Sequence, residues 1–210
     1  LRILDSFDIC SLGMLSAQHL DLVFRAIRIA AGLRIQHNRR SSEEIEALLS
    51  DMTSHVARAG DGIPLEGLTE KWSGDADFVA DAPKENTTSM SIVDADGNMI
   101  CLTQSLGSAY GSGVMIPGTG VILNNFLNWT DLNPASPNAL QPGQRLAMCM
   151  APSISTRDGK GILALGTPGS YGILQTQVQA MVGHVDFGLD VQAAIEMPRA
   201  RLWDGKQIYV

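Results

Sequence analysis

The sequence predicts an α/β fold, with helices toward both ends of the chain and short strands between them. Three observations carry that reading. Apolar residues recur at spacings of three and four in residues 17–34 and 45–52, hydroxyl-rich alternating segments begin near residue 88, and a strand, a glycine loop and a helix follow one another over residues 161–182. A chain of 210 residues with 45% hydrophobic content and 21 glycines can bury one sizeable core. Residues 1–86 and 87–210 are therefore expected to share one domain.

The net charge of −7 offers no attraction to phosphate backbones, and no Lys/Arg stripe with interleaved aromatics is present. Nucleic acid is not an expected partner. No apolar stretch is long enough to suggest a membrane span, so no membrane contact is expected either. Cys10, Cys101 and Cys149 are far apart and form no C-x-x-C spacing, which points to neither a disulfide framework nor a zinc site. His19, His37, His55 and His184 share no spacing of a metal site or relay and are read as structural. No cofactor is expected. The chain opens on Leu1-Arg2-Ile3-Leu4 without an initiator Met or a leader, so it is expected to be part of a longer protein whose compartment stays open.

Taken in order, Leu20, Val23, Ala26, Ile27, Ala30 and Ala31 suit a helix over 17–34 packed on one face. Ser41 followed by Glu44 makes a capping box, and Ile45, Leu48, Leu49 and Met52 supply the stripe of a second helix. Residues 59–85 are rich in Gly, Asp and Pro and read as an exposed connector where a cut is tolerated. Thr87 stands at its end.

Strands are predicted over 88–94 and 98–106, joined by the turn Ala95-Asp96-Gly97. A three-residue loop with Gly in third position pairs Asp94 with Asn98, and every other pair follows by counting outward. Thr87, Ser89, Ser91, Cys101, Thr103 and Ser105 then share one face, while Met90, Ile92, Ile100, Leu102 and Leu106 share the other. Thr87 falls directly opposite Ser105, at cross-strand Cβ distances of about 4.5–5.5 Å. Short Ser/Thr strands also occur simply as solvent-facing sheet, so position rather than composition must give this pair a meaning.

Further strands are expected over 121–125, 153–156 and 161–165, with a Pro/Asn-rich loop over 133–143 and helices over 173–182 and 191–196. The segment Gly166-Thr167-Pro168-Gly169-Ser170-Tyr171-Gly172 puts backbone N–H groups before a helix, where they can hold an anion. It has neither G-x-G-x-x-G spacing nor a Walker lysine, which argues against a nucleotide. An oxyanion hole and a plain connecting turn both remain open at this point.

The ordered series Thr87-Thr88, Val93-Asp94-Ala95-Asp96-Gly97-Asn98, Gly111-Ser112-Gly113, Gly120-Val121-Ile122-Leu123-Asn124-Asn125, Ala151-Pro152-Ser153-Ile154, Gly166-Thr167-Pro168-Gly169, Asp186-Phe187-Gly188-Leu189 and Pro198-Arg199 resembles the small subunit of the gamma-glutamyltranspeptidase family. Residues 1–86 resemble, more loosely, the end of its large subunit. The resemblance implies the four-layer αββα sandwich of N-terminal nucleophile hydrolases, here incomplete, and a partner in the remaining large-subunit region. It implies autoproteolysis between Asn86 and Thr87, with Thr87 as nucleophile, Ser105 as the hydroxyl that assists it, and Gly169 and Ser170 as backbone oxyanion donors.

The departures concern the substrate. Asn125 is kept, but the following Phe126-Leu127-Asn128-Trp129-Thr130 puts Trp129 where the family has the carboxylate that receives the donor's α-ammonium. Met148 and Cys149 replace the serines that hold its α-carboxylate. The expected activity is that of a gamma-glutamyltransferase-like amidohydrolase and acyltransferase, acting on a gamma-glutamyl or other acyl amide with water or an amine as acceptor. The alternatives are a glutaryl- or cephalosporin-type acylase and a processing-dead homologue with a structural or binding role.

Overall fold

The computed structural model describes residues 1–36, 41–61, 87–136, 138–144, 146, 148–202 and 208–209. They form helices α1 (Ala17–Gln36), α2 (Ser42–Ser50), α3 (Thr53–Gly60), α4 (Ile173–Val185) and α5 (Val191–Glu196). The strands are β1 (Thr87–Val93), β2 (Met99–Ser105), β3 (Ser153–Arg157), β4 (Lys160–Leu165), β5 (Arg201–Leu202) and β6 (Ile208–Tyr209). Among the described residues the strands pair as three separate antiparallel two-stranded sheets, β1-β2, β3-β4 and β5-β6. The α/β class expected from the sequence is what the chain shows. The described residues divide into two compact units, one made of residues 1–61 and those from 178 onward, the other of residues 87–177.

In the first unit α1 is the central element. Leu22, Val23, Ala26 and Ile29 pack with Ile3, Leu4, Ile9, Ala59 and Val182, while Phe24 packs with Ala200 and Leu202. The expectation of one packed face is corrected: α1 packs against two clusters, the second made by Phe24 with Ala200 and Leu202, and Ile27 touches both. Ala30, counted on the packed face, is exposed. Val23 and Ile29 are 0% exposed, and burying side chains of this size contributes about 1.5–3 kcal/mol each.

The capping box at α2 is present in both directions, Glu44 N–H to Ser41 Oγ at 3.2 Å and Ser41 N–H to Glu44 Oε2 at 2.8 Å. Its apolar stripe is not buried, with Ile45 and Leu49 41% and 40% exposed. Only Met52, just past the helix, packs on the main cluster. Helix α3 was not expected from the sequence, where Thr53–Gly60 offers too short a run to show periodicity. Most of the expected connector, together with Asn86 and His37, lies outside the described residues.

In the second unit the expected strand at 121–125 is corrected to a single bridge, Met115 to Ile122. The intervening Gly118 and Gly120 both take positive φ and turn the chain too tightly for a ladder to extend. β3 and β4 match the expected positions within one residue at each end, as do the ends of the 191–196 helix. Gln177, 8% exposed, holds β3 and β4 together: its Nε2 donates to Ala151 O at 2.8 Å, Ser153 Oγ at 3.0 Å and Leu165 O at 3.2 Å.

His19 is 2% exposed, accepts from Leu15 N–H through Nδ1 at 3.0 Å and stacks edge-on against Phe187. Burial lowers its pKa from the usual imidazole value, and the neighbouring Asp186 opposes this only in part. Since a lowered folded-state pKa disfavours the proton, the stability this residue contributes is full above about 6.5 and is lost as the pH falls below it. Burial raises the pKa of Asp186, with Asp5 adding to that rise, so Asp186 acts in the opposite sense at lower pH. Thermal melts between pH 7.5 and 5.5 should therefore show a falling Tm that His19→Asn, which keeps an acceptor for Leu15, flattens.

Candidate active site

The β1-β2 hairpin is set by its turn. Gly97 takes φ 84° in the third turn position, a left-handed conformation that suits glycine. The Asp94 carboxylate accepts from Asp96 N–H at 2.9 Å, Asn98 N–H at 2.9 Å and Asn98 Nδ2 at 2.8 Å. The bonds from Asn98, side chain first, hold the pKa of Asp94 below the usual carboxylate range. The register that follows is the counted one, from Val93 opposite Met99 to Thr87 opposite Ser105.

Alternation then puts the small polar side chains in pairs. Thr87 Oγ1 donates to Ser105 Oγ at 3.2 Å, Ser89 Oγ lies 3.4 Å from Thr103 Oγ1, and Ser91 Oγ lies 3.6 Å from Cys101 Sγ. Ser105 Oγ also accepts from Gly107 N–H at 3.1 Å. This face packs inward. A Cβ on Gly166 would fall 2.3 Å from Ser89 Oγ, 3.2 Å from Cys101 Sγ and 3.3 Å from Thr103 Oγ1, so any larger residue there would displace the Ser89 hydroxyl. Ser91 Oγ also donates to Ala164 O at 3.3 Å. The apolar face looks outward instead, with Met90, Ile92, Ile100 and Leu102 38%, 56%, 60% and 41% exposed. Leu106, counted with them, lies beyond the end of β2 and is half-buried.

The glycine loop therefore starts one pair away from Thr87 and Ser105. It continues into Gly169, φ 128°, and Ser170, φ 54°, before a 3₁₀ turn leads into α4. The turn closes through Gly172 N–H to Gly169 O at 3.0 Å and Ile173 N–H to Ser170 O. Neither bond uses the Gly169 or Ser170 N–H, which leaves both available to an oxyanion in chemical terms. A non-glycine residue in the left-handed region costs on the order of 1–3 kcal/mol and persists only where its surroundings hold it.

Asn125 joins the chain just past Ser105, at the same end of the hairpin as Thr87. Its Oδ1 accepts from Ser108 N–H at 3.0 Å, its Nδ2 donates to Ser108 Oγ at 2.8 Å, and its own N–H donates to Leu106 O at 2.9 Å. Phe126, 7% exposed, meets Trp129 edge-on with ring centroids 5.1 Å apart. Trp129 lies 5.1 Å from the ring of Tyr171, tilted by 32°. Phe126 and Trp129 are thus brought together, and Tyr171 joins them. Cys149 is 1% exposed and packed inside, and Met148 is half-buried.

Sequence reasoning missed Tyr171, Gln177 and Gly107. Gln177 had a visible signal, since Gln175, Gln177 and Gln179 interrupt an otherwise apolar helix, and polar residues kept in such a place need partners. Gly107 had none: only the fold shows that a Cβ there would meet Asn125 Oδ1 at 2.2 Å. Among the described residues no group of three His, Cys, Asp or Glu could hold a metal ion.

The chain is 31% identical over 202 residues to an Acylase ACY 1 proenzyme of Pseudomonas sp. (strain SE83), covering 95% of this chain and 35% of that protein. It is 38% identical over 124 residues to a Glutathione hydrolase proenzyme of Pseudomonas sp. (strain A14), covering 54% of this chain and 22% of that one. The chain thus spans about a third or less of the length of these relatives. Among solved structures, a gamma-glutamyltranspeptidase from Pseudomonas nitroreducens complexed with L-DON superposes with a TM-score of 0.51 at 36% identity, covering 55% of this chain and 65% of that one. A cephalosporin acylase from Bacillus halodurans gives 0.52 at 36% identity, covering 57% and 22%. With its match running over residues 1–208, the chain belongs to the gamma-glutamyltranspeptidase family.

Proposed function

We propose that this chain carries the catalytic part of an N-terminal-threonine amidohydrolase and acyltransferase, matured by a cut between Asn86 and Thr87. The observation that carries the reading is the Thr87–Ser105 hydroxyl pair, 3.2 Å apart at the end of the hairpin, in a member of this family. Freed by the cut, the Thr87 α-amino group, with an ordinary pKa near 7.7–8.0, serves as base to its own hydroxyl. Thr87 Oγ attacks the acyl carbonyl. The amine takes the hydroxyl proton and passes it to the leaving nitrogen, and the acyl group stays as an ester on Thr87. Water or an amine then attacks that ester, returning Thr87 and releasing an acid or a new amide. Ser105 tunes the Thr87 hydroxyl, and the Gly169 and Ser170 N–H groups stabilise the oxygen that becomes negative. In the whole protein, residues 1–86 end a large-subunit-like region, residues 87–210 begin a small-subunit-like one, and the remainder completes a four-layer αββα sandwich.

A second reading, an acylase taking a glutaryl-like or cephalosporin-type acyl amide, is favoured by two observations. Phe126 and Trp129 meet, with Tyr171 beside them, and the family resemblance puts Trp129 in the place of the carboxylate that an ammonium needs. The Acylase ACY 1 match covers 95% of the chain, against 54% for the glutathione hydrolase.

The intact protein should split before Thr87 without added protease, read by N-terminal sequencing. Thr87→Ala should stay uncut and inactive, and Thr87→Ser should keep part of both activities. An uncut protein that still hydrolyses amides would remove Thr87 from the mechanism, and an uncut inactive one would favour a structural homologue.

Ser105→Ala should slow acylation about 10²-fold, the low end of acid-base effects, with little change in Tm. Single-turnover kinetics beside a thermal melt checks this, and a large Tm loss with unchanged rate would make Ser105 structural only.

An unpaired ammonium in a closed site costs about 3–5 kcal/mol, or a hundredfold and more in kcat/KM. A glutaryl amide should therefore be cleaved faster than the matching gamma-glutamyl amide. A strong preference for the gamma-glutamyl donor would return the protein to ordinary transpeptidation.

A further inference from the structure

Ser170 carries a side chain yet sits at φ 54°, directly after Gly169 at φ 128°. Something beyond the turn's two closing bonds has to keep it there. The next residue, Tyr171, supplies a contact of the right kind. Its ring lies against Trp129 with centroids 5.1 Å apart and planes 32° apart. Trp129 is held from a second side by Phe126, centroids 5.1 Å apart and planes at 83°, and its carbonyl accepts from Asn138 Nδ2. Phe126 is buried and follows Asn125, which is bonded to Ser108; a Cβ on Gly107 would fall 3.5 Å from Phe126 Cδ1. Gly107 in turn donates to Ser105 Oγ. Three rings thus run unbroken from the neighbourhood of Ser105 to the residue that follows the Gly169–Ser170 turn.

We propose that Tyr171 is a positioning residue, and that the Phe126–Trp129–Tyr171 strut keeps the left-handed Gly169–Ser170 turn where its N–H groups meet the developing oxyanion. The proposal rests on the reading of that turn given above. It also gives Trp129 a different part. Instead of only replacing a substrate-binding carboxylate, the indole is the middle of the strut, so removing it weakens turnover of every donor. Oxyanion donors act on the transition state and not on ground-state binding, so a loosened turn lowers kcat and leaves KM nearly alone. Tyr171 is 42% exposed, and its replacement leaves no large cavity. The hydroxyl takes no part in stacking, so Tyr171→Phe tests the ring contact apart from the hydroxyl's own interactions.

The experiment uses the full-length processed protein with Tyr171→Phe, Tyr171→Leu, Trp129→Leu and the double leucine variant, each with a glutaryl and a gamma-glutamyl anilide. Tyr171→Phe should stay within about twofold of the parent. Tyr171→Leu should lower kcat about tenfold to a hundredfold for both donors, with KM changed by less than about twofold. The double variant should fall no further than the worse single one, as expected of one shared support. Hydrogen exchange of the Gly172 and Ile173 amides, which close the turn, should quicken about tenfold in Tyr171→Leu and not in Tyr171→Phe. A loss confined to KM or to one donor would make the ring part of the substrate wall and overturn the proposal. Unchanged exchange would overturn it, and so would faster exchange with an unchanged kcat. If Thr87→Ala keeps the parent's activity, the nucleophile reading fails by that result, while the exchange measurement still decides the strut.

Discussion

Asp94 lies at the far end of the hairpin from Thr87, yet its carboxylate decides which residue Thr87 faces. Three donors converge on it, two of them from Asn98, and together with Gly97 they fix a three-residue turn. Side chains alternate along a strand with period two, so a slip of one residue would turn every side chain to the other face. Thr87 would then leave Ser105, and the serines and threonines now stacked in pairs would be set against solvent. The apolar side chains of the other face would meet Gly166 and Ala164 in their stead. The geometry at the candidate site is thus fixed by a turn that takes no part in the chemistry.

Within this chain the two faces of the hairpin are unequally covered. Its hydroxyl and thiol face packs inward, and its aliphatic face is the more open one. Polar groups can be placed inside only when they are bonded. Here the Thr87–Ser105, Ser89–Thr103 and Ser91–Cys101 pairs satisfy one another across the strands. Gly166 lets the next strand approach those pairs closely, which brings the start of the glycine loop beside the Ser89–Thr103 pair, one rung from Thr87. Gln177 holds the same approach from behind by tying Leu165 O to Ala151 O. Two elements distant in sequence reach one site because each lacks or buries the right side chain.

What could be read from the sequence was whatever depends on local pattern. The hairpin register followed from counting outward from one glycine, and the capping box from two residues three apart. The helices over 173–182 and 191–196 declared themselves by composition and length. Contacts between distant segments were not legible. Neither the second cluster packed against α1, with Ala200 and Leu202, nor the meeting of Trp129 with Tyr171, 42 residues later in the numbering, leaves any periodic trace. The strand expected at 121–125 failed for a related reason. Its apolar run is suited to pairing, but the glycines before it allow only one bridge to the neighbouring segment. Family resemblance pointed to Thr87, Ser105, Gly169 and Ser170 as a set, and the fold adds how the first pair is juxtaposed and what stands around the second.

The hairpin also bears on the order in which the molecule takes shape. Its most distant partners, Thr87 and Ser105, are only 18 residues apart, and every rung between them closes a shorter loop. Contacts that local form quickly, on the microsecond scale of hairpins, whereas closures between remote segments wait for the rest of the chain. The Thr87–Ser105 pairing is therefore a local contact, closed without help from β4 or the glycine loop. The paired hydroxyls need only the hairpin, whereas the approach of the glycine loop needs contacts between segments far apart in the chain. Under the proposed mechanism, such a chain sets Thr87 opposite Ser105 through local contacts alone, and the turn at Gly169 and Ser170 reaches them only through remote ones.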